Sequence, residues 1–160
     1  MTALPDSKKL TPVAQLKVFI DRLDAKNQKL CRSVRTALRK RFPTANELVY
    51  DYASFVVIGY SPTENGIESV VSFAARATGV SLYFNNGPRL PDPKKLLQGS
   101  GKQTRFIPIE SAERLAHPDV KALIAATINM STIPLPTTGK GQLIIKTIAA
   151  ERRPRAKPKK

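Results

Sequence analysis

The stretch SFVVIGYSPTENGIESVVSFAARATGVSLYF, residues 54–84, decides the fold because it reads as three consecutive strands. Residues 55–60 form a nearly continuous apolar run, which is typical of a strand covered on both faces. The polar tract at 61–66 ends in glycine and predicts a chain reversal. Residues 67–76 then alternate between two faces, and a turn at Thr78 and Gly79 precedes another alternating run. The pattern predicts an antiparallel meander at the centre of the fold.

Helices flank this meander in the sequence. Thr11 followed by Pro12 is a helix start, and apolar residues at helical spacing predict a helix that ends near residues 24–25. A second helix is predicted at about 27–42, where Pro43 stops it. A last helix begins at Pro118. The first two helices form a hairpin whose apolar stripes need the meander as a partner surface.

Further strands are predicted on both sides of the meander. Residues 47–52 alternate and precede it, whereas residues 104–109 follow it and carry Pro108, which assigns that strand to a sheet edge or marks the end of the strand. The sequence therefore predicts an α+β fold with an antiparallel sheet of about five strands, packed by an N-terminal helical hairpin and a C-terminal helix.

The connections after the meander are less regular. Asp92 and Gly99 frame a short predicted helix at 94–98, since aspartate favours a helix start and glycine a helix end. Residues 131–141 are typical of a linker. Residues 143–148 are apolar, and the pattern leaves open whether they form a strand or a docking segment.

The chain of 160 residues carries a formal net charge of +15, which is spread over its whole length. Residues 151–160 hold six basic residues against Glu151, a net of +5, and the other 150 residues hold 27 − 6 = 21 basic and 12 − 1 = 11 acidic residues, a net of +10. Such a field attracts polyanions, although surplus charge also serves solubility alone. The basic residues of the tail are Arg152, Arg153, Arg155, Lys157, Lys159 and Lys160.

The sequence predicts a cytoplasmic location. One cysteine excludes an intramolecular disulfide framework, and the N-terminus lacks the pattern of a secretory signal. No apolar run approaches the length of a membrane span. No motif for catalysis stands out, so a binding or accessory protein is favoured over an enzyme.

Three motifs carry a resemblance to a known family. These are ELVYDY at 47–52, GVSLYFNNG at 79–87, and LPDP at 90–93 with LLQGSGK at 96–102 and Arg105 after it. From about Leu16 to Met130 the chain resembles the YdhG-like family of small bacterial domains of unknown function. The resemblance implies an α+β domain at 11–131, between a flexible N-terminus at 1–10 and a linker with a basic tail at 132–160. It also implies an alternative role, because one member of the wider family is regarded as a frataxin-like iron chaperone for iron–sulfur assembly.

Nucleic acid or another polyanion is the favoured partner. A helical wheel places five basic residues of the second helix opposite its apolar stripe, and the tail adds further charge. Several backbone contacts of this kind give salt-sensitive affinity without sequence readout. The alternative interpretation is a solvated helix face. The basic residues of that face are Lys29, Arg32, Arg35, Arg39 and Lys40.

A small-anion site is a further hypothesis. The loop at 99–105 resembles a phosphate-binding loop, but it lacks the first glycine and the hydroxyl residue after the lysine, and a strand follows it. Nucleotide hydrolysis is therefore excluded, whereas a concavity of backbone N–H groups with nearby cations is not. A sharp turn without a ligand is the alternative. The candidate residues are Arg89, Gly99, Ser100, Gly101, Lys102 and Arg105.

The iron alternative depends on carboxylates, of which Asp21 and Asp24 lie one helical turn apart. Such pairs are sparse in this basic chain, so no cofactor is predicted and iron is kept as the alternative. The single histidine, His117, precedes Pro118 and is interpreted as a helix-entry residue. Cys31 lies at the margin of an apolar arc, which favours a packed, inert thiol over a reactive one.

Overall fold

The computed structural model describes residues 10–148, which form the predicted α+β fold. The helices are α1 (Pro12–Asp21), α2 (Ala25–Arg41) and α3 (Pro118–Met130). The strands are β1 (Asn46–Asp51), β2 (Phe55–Ser61), β3 (Val71–Arg76), β4 (Gly79–Phe84), β5 (Arg105–Ile109) and β6 (Leu143–Thr147). Short 3₁₀ turns lie at Gly66–Glu68, Gly87–Arg89 and Ala112–Ala116.

The strands form one sheet in the order β5-β4-β3-β2-β1-β6. Each of the four pairs among β1–β5 is antiparallel, so the predicted five-stranded antiparallel sheet is confirmed. Strand β6 pairs in parallel with β1 and makes the complete sheet mixed. Strand β5, which contains Pro108, lies at an edge as predicted.

The helix ends follow the sequence signals. The Thr11 hydroxyl accepts a hydrogen bond from the Ala14 N–H at the start of α1. Helix α2 ends one residue before Phe42, and Pro43 follows. At the start of α3, His117 Nδ1 accepts a hydrogen bond from the Asp119 N–H, which confirms its role as a helix-entry residue.

The hydrophobic core lies on one face of the sheet. Val49, Ile58, Phe73, Leu82 and Ile107 follow one another across five strands in register, and all five are buried. The buried side chains of the three helices belong to the same cluster. Leu48 and Ala74, which alternate with these residues on β1 and β3, are buried outside this cluster. The fold therefore has two layers, with the helices on one face of the sheet and the other face available for a site.

Two local predictions were wrong. Residues 67–70 do not join β3, because the Asn65 side chain accepts from the Ile67 N–H and starts the 3₁₀ turn instead. Residues 94–98 do not form a helix. Asp92 does accept hydrogen bonds from the N–H groups of Leu96 and Leu97, but Gln98 then bridges to Phe106 on β5. The cap is present, whereas the helix is replaced by a link to the sheet.

Strand β6 settles the open question about residues 143–148. Gly141 passes against the connection between α2 and β1, where an added Cβ would lie 1.7 Å from the Ala45 carbonyl oxygen. Beyond it, the Gln142 N–H donates to Asn46 and the Glu47 N–H donates to the Gln142 carbonyl. Part of the segment predicted as linker and tail is thus a strand of the sheet.

Candidate functional site

A groove lies on the sheet face that carries no helix. Its volume is about 600 Å³, within the range of ligand sites in proteins. Val57 and Gly59 of β2 and Ser72 of β3 form its floor. These side chains are small, so the groove is a depression between taller walls built by the neighbouring loops.

One wall comes from β1 and from the loop between β2 and β3. Tyr50 and Tyr52 border the groove on the β1 side, together with Asn65, Gly66 and Ile67 of the loop. The Ile67 side chain is 84% exposed. Burial, with Tyr52 beside it, raises the pKa of Tyr50, so this hydroxyl keeps its proton at neutral pH. The five residues with which this wall lines the groove are uncharged, and two of them are aromatic, whereas Glu64 and Glu68 of the same loop line a neighbouring pocket.

The opposite wall comes from the loops after β4 and before β5. The Gly87 N–H donates to the Gln103 carbonyl at 3.2 Å and ties the two loops together. A Cβ at Gly87 would lie 2.4 Å from Arg105 Cβ, so only glycine permits this approach. The link places Arg89 and Lys102 on the same wall of the groove.

The electrostatics of the groove favour an anion. Neither Arg89 nor Lys102 has an ion-pair partner within residues 10–148. None of the described residues that line the groove is Asp or Glu. Two unpaired cations without a carboxylate between them are an unneutralised positive charge, which a bound phosphate or carboxylate would satisfy.

The predicted anion loop is only partly brought together. Arg89 and Lys102 lie on the groove wall, but Gly99, Ser100 and Gly101 do not line the groove. Arg105 Nη1 donates to the carbonyl oxygens of Gly101 and Thr104. That guanidinium therefore holds the loop closed from within, and Arg105 acts here as a structural residue.

Two cations of the predicted helix face are neutralised within the protein. Arg35 donates through Nε and Nη2 to the Glu47 carboxylate at 3.0 and 2.9 Å, and Arg39 Nη1 donates at 2.6 Å. Glu47 is only 1% exposed and also accepts from the Tyr60 hydroxyl. Burial next to this carboxylate raises the pKa of Tyr60 well above its ordinary value. Arg35 and Arg39 thus anchor α2 to β1.

A third helix cation is also paired. Arg32 Nη2 lies 2.6 Å from Asp21, which Lys17 contacts as well. Hydrogen bonds from Lys17 and Arg32 lower the pKa of Asp21. Of the five residues predicted as a polyanion-binding face, only Lys29 and Lys40 have no ion-pair partner in the described part of the chain. The helix face is therefore much less cationic than the sequence suggested.

The iron alternative gains no support from the same contacts. Asp21 is engaged by two cations, and Asp24 accepts a hydrogen bond from Asn27 at 2.7 Å. Residues 10–148 contain no group of three or more His, Cys, Asp or Glu side chains placed to hold a metal.

Cys31 is fully buried, and burial raises the pKa of its thiol to about 11. It is thus a packed residue in the core, as predicted.

The basic residues at 152–160 lie outside the described residues. Within residues 10–148, no helix has the length and apolar character that a membrane span requires.

Sequence reasoning missed the aromatic wall of the groove. Tyr50 and Tyr52 were identified as strand residues, and Ile67 was assigned to β3. The available signal was alternation, because Tyr50 and Tyr52 share a face of β1 with each other and not with Val49. Which face the helices cover depends on tertiary pairing, so the strand pattern alone left the choice open.

Scans against protein-family models, curated proteins and solved structures found no match for this chain, so its function is argued from the site.

Proposed function

We propose that this protein is a non-enzymatic binding protein for polyanions, with nucleic acid as the ligand, and that the groove is its main contact. The observation that carries the proposal is the pair Arg89 and Lys102, which line the groove without an ion-pair partner and without an acidic neighbour in its lining among residues 10–148. The net charge of +15 supports it, because a field of that sign draws polyanions from a distance.

The helix face that the sequence predicted is a weaker contact for a polyanion than the groove. The side chains of Arg35 and Arg39 are 27% and 31% exposed and bonded to Glu47, so a phosphate would have to compete with a buried carboxylate. Lys29 and Lys40 have no such competitor among the residues that the structure describes. Helix α2 therefore supplies two auxiliary lysine contacts, and the groove is the main binding site.

Two double variants with equal charge test this assignment. Arg89→Ala with Lys102→Ala removes two positive charges from the groove, and Lys29→Ala with Lys40→Ala removes two from α2. Both variants have a net charge of +13, since 15 − 2 = 13. At about 50 mM salt we expect the groove variant to bind labelled nucleic acid about tenfold more weakly, because it loses two phosphate contacts. For the helix variant we expect the decrease in the logarithm of the affinity to be less than half of that of the groove variant.

Fluorescence anisotropy with labelled single-stranded and duplex DNA measures these affinities, and circular dichroism checks that both variants are folded. An equal loss in both variants would show that diffuse charge, and not the groove, drives association. Failure of the wild-type protein to bind any nucleic acid at about 50 mM salt would overturn the proposed function itself.

A further inference from the structure

The two walls of the groove offer different chemistry. Tyr50 and Tyr52 belong to the β1 side, whereas Arg89 and Lys102 follow β4 and precede β5. Two strands, β2 and β3, separate β1 from β4, and at about 4.8 Å per strand this spacing is about 14 Å. The floor between the walls is uncharged. A ligand that spans the groove therefore meets aromatic rings at one side and cations at the other.

The aromatic side continues along the open sheet face. Tyr52 and Phe55 are stacked with their ring centroids 4.9 Å apart, and the Arg76 guanidinium lies 4.2 Å from the Phe55 ring centroid. Because rings of this kind stack on any base, such surfaces bind single strands with little sequence preference. Tyr83 and Phe106 form a second aromatic pair on the same sheet face, 5.4 Å apart, but they do not line the groove.

Amide side chains complete the lining. Asn85 donates to the carbonyl oxygens of Ile67 and Ser69 and thereby links the two walls. Asn86 and Gln103 also line the groove, and their side chains have no hydrogen-bond partner within residues 10–148. Free amides can donate to and accept from the polar edges of bases that are not paired with another strand.

From these observations we infer that the groove binds single-stranded nucleic acid, with a phosphate at Arg89 and Lys102 and a base of the same strand against Tyr52 and Ile67. The inference rests on the proposed function and assigns its ligand. A duplex presents its phosphates but keeps its base faces stacked, so it leaves the aromatic wall unused. A mononucleotide can enter the groove, but it has no further phosphates. It therefore cannot contact the basic residues outside the groove, which a longer strand reaches.

A tyrosine substitution separates base stacking from phosphate binding. Tyr52→Leu removes a ring from the groove and keeps an apolar side chain. Tyr83→Leu is the matched control, since Tyr83 is also half-buried and paired with another ring on the same face outside the groove. We expect Tyr52→Leu to weaken binding of fluorescein-labelled oligo(dT) by about fivefold or more. We expect both variants to bind inorganic polyphosphate as the wild type does.

Competition against labelled oligo(dT) measures the ligand class. We expect unlabelled oligo(dT) to displace it at lower phosphate concentration than duplex DNA, polyphosphate or thymidine monophosphate. Equal or better competition by the duplex, or an unchanged affinity of Tyr52→Leu for oligo(dT), would overturn the inference and leave polyanion binding in place. Equal competition by the mononucleotide would reassign the groove to a free nucleotide. If neither oligo(dT) nor duplex DNA binds, the proposed function fails as well.

Ile67→Ser provides a second variant should Tyr52→Leu not fold. Ile67 is exposed at the rim of the groove, so its replacement leaves the core untouched. We expect weaker binding of oligo(dT) and unchanged binding of polyphosphate, because only the base contact is lost. Equal loss with both ligands would contradict a base-contacting role for this wall.

Discussion

Glu47 is the residue on which the attachment of α2 to the sheet depends. Its buried carboxylate accepts hydrogen bonds from Arg35, Arg39 and Tyr60. We expect Glu47→Gln to lower the free energy of unfolding by about 3 kcal/mol, because two guanidinium groups then face each other without a counter-charge. Urea unfolding followed by circular dichroism measures this change.

Asp21→Asn is the control for Glu47→Gln, since it also removes a carboxylate that contacts an arginine of α2. Asp21 is exposed, and exposed ion pairs contribute little to stability. We expect this variant to unfold at nearly the same urea concentration as the wild type. Equal destabilisation by both substitutions would show that the large contribution of the Glu47 contacts to stability does not come from the burial of Glu47.

Cys31 makes stability depend on pH in the alkaline range. In the unfolded chain the thiol loses its proton near pH 9, whereas in the folded protein burial raises its pKa to about 11. The unfolded state therefore releases a proton first, and stability falls as pH rises from 9 to 11. Two pH units correspond to about 3 kcal/mol.

We expect Cys31→Ala to lack this component, so that its stability falls less steeply between pH 9 and 11 than that of the wild type. Other alkaline groups, such as Tyr60, are common to both proteins and cancel in the difference between the two curves. Urea unfolding at a series of pH values gives these curves. Parallel curves would mean that the thiol does not titrate differently in the folded state.

The contacts of single residues were the least predictable part of the site. A helical wheel places Arg35 and Arg39 away from the apolar stripe, but a wheel contains no information about other elements. Their partner Glu47 lies on β1, and on polarity alone the face that carries Leu48 would be the better core face. The structure covers the Glu47 face because arginines satisfy its carboxylates: Arg35 of α2 contacts Glu47, and Arg22, which follows α1, contacts Asp51.

Among the elements, β6 carries a clear stability prediction. Leu143 and Ile145 are half-buried and pack against the core, and the strand hydrogen-bonds with β1. We expect truncation after residue 142 to lower the free energy of unfolding by about 2 kcal/mol or more, from lost apolar burial alone. Truncation after residue 148 is the matched control and should leave stability unchanged. Equal urea midpoints for both truncations would show that β6 adds nothing to the fold.

The elements themselves were largely readable from the sequence. Helices α1, α2 and α3 and strands β1 to β5 follow from periodicity, caps and turns, because these signals are local. The predicted helix at 94–98 failed since the bridge between Gln98 and Phe106 competes with it, and pairing with another segment cannot be read from the residues of 94–98 alone. The role of β6 was undecided for the same reason. A hairpin turn is the local signal of strand pairing, and the parallel strands β1 and β6 are not joined by one.

At the scale of the whole molecule, charge outside the groove sets the response to salt. Residues 149–160 hold six basic residues and one acidic residue. We expect their removal to make the plot of log affinity for oligo(dT) against log salt shallower, by up to about 4 in slope, since fewer counterions are then released. Anisotropy titrations at several salt concentrations measure the slope.

A variant with serine at the six basic positions of this tail distinguishes charge from chain length. It should show the same shallow slope as the truncated protein. A slope unaffected by either change would confine the contact to residues 1–148 and remove the tail from the binding surface.

The parallel pairing of β6 with β1 also has a consequence during biosynthesis. Strand β6 follows β1 in the chain only after β2–β5 and α3, so the nascent chain carries an unprotected row of amide and carbonyl groups along β1 until β6 has been made. Such a row is open to pairing with other nascent chains. The order in which the ribosome delivers these two strands thus makes the unfinished protein more prone to aggregation than the finished one.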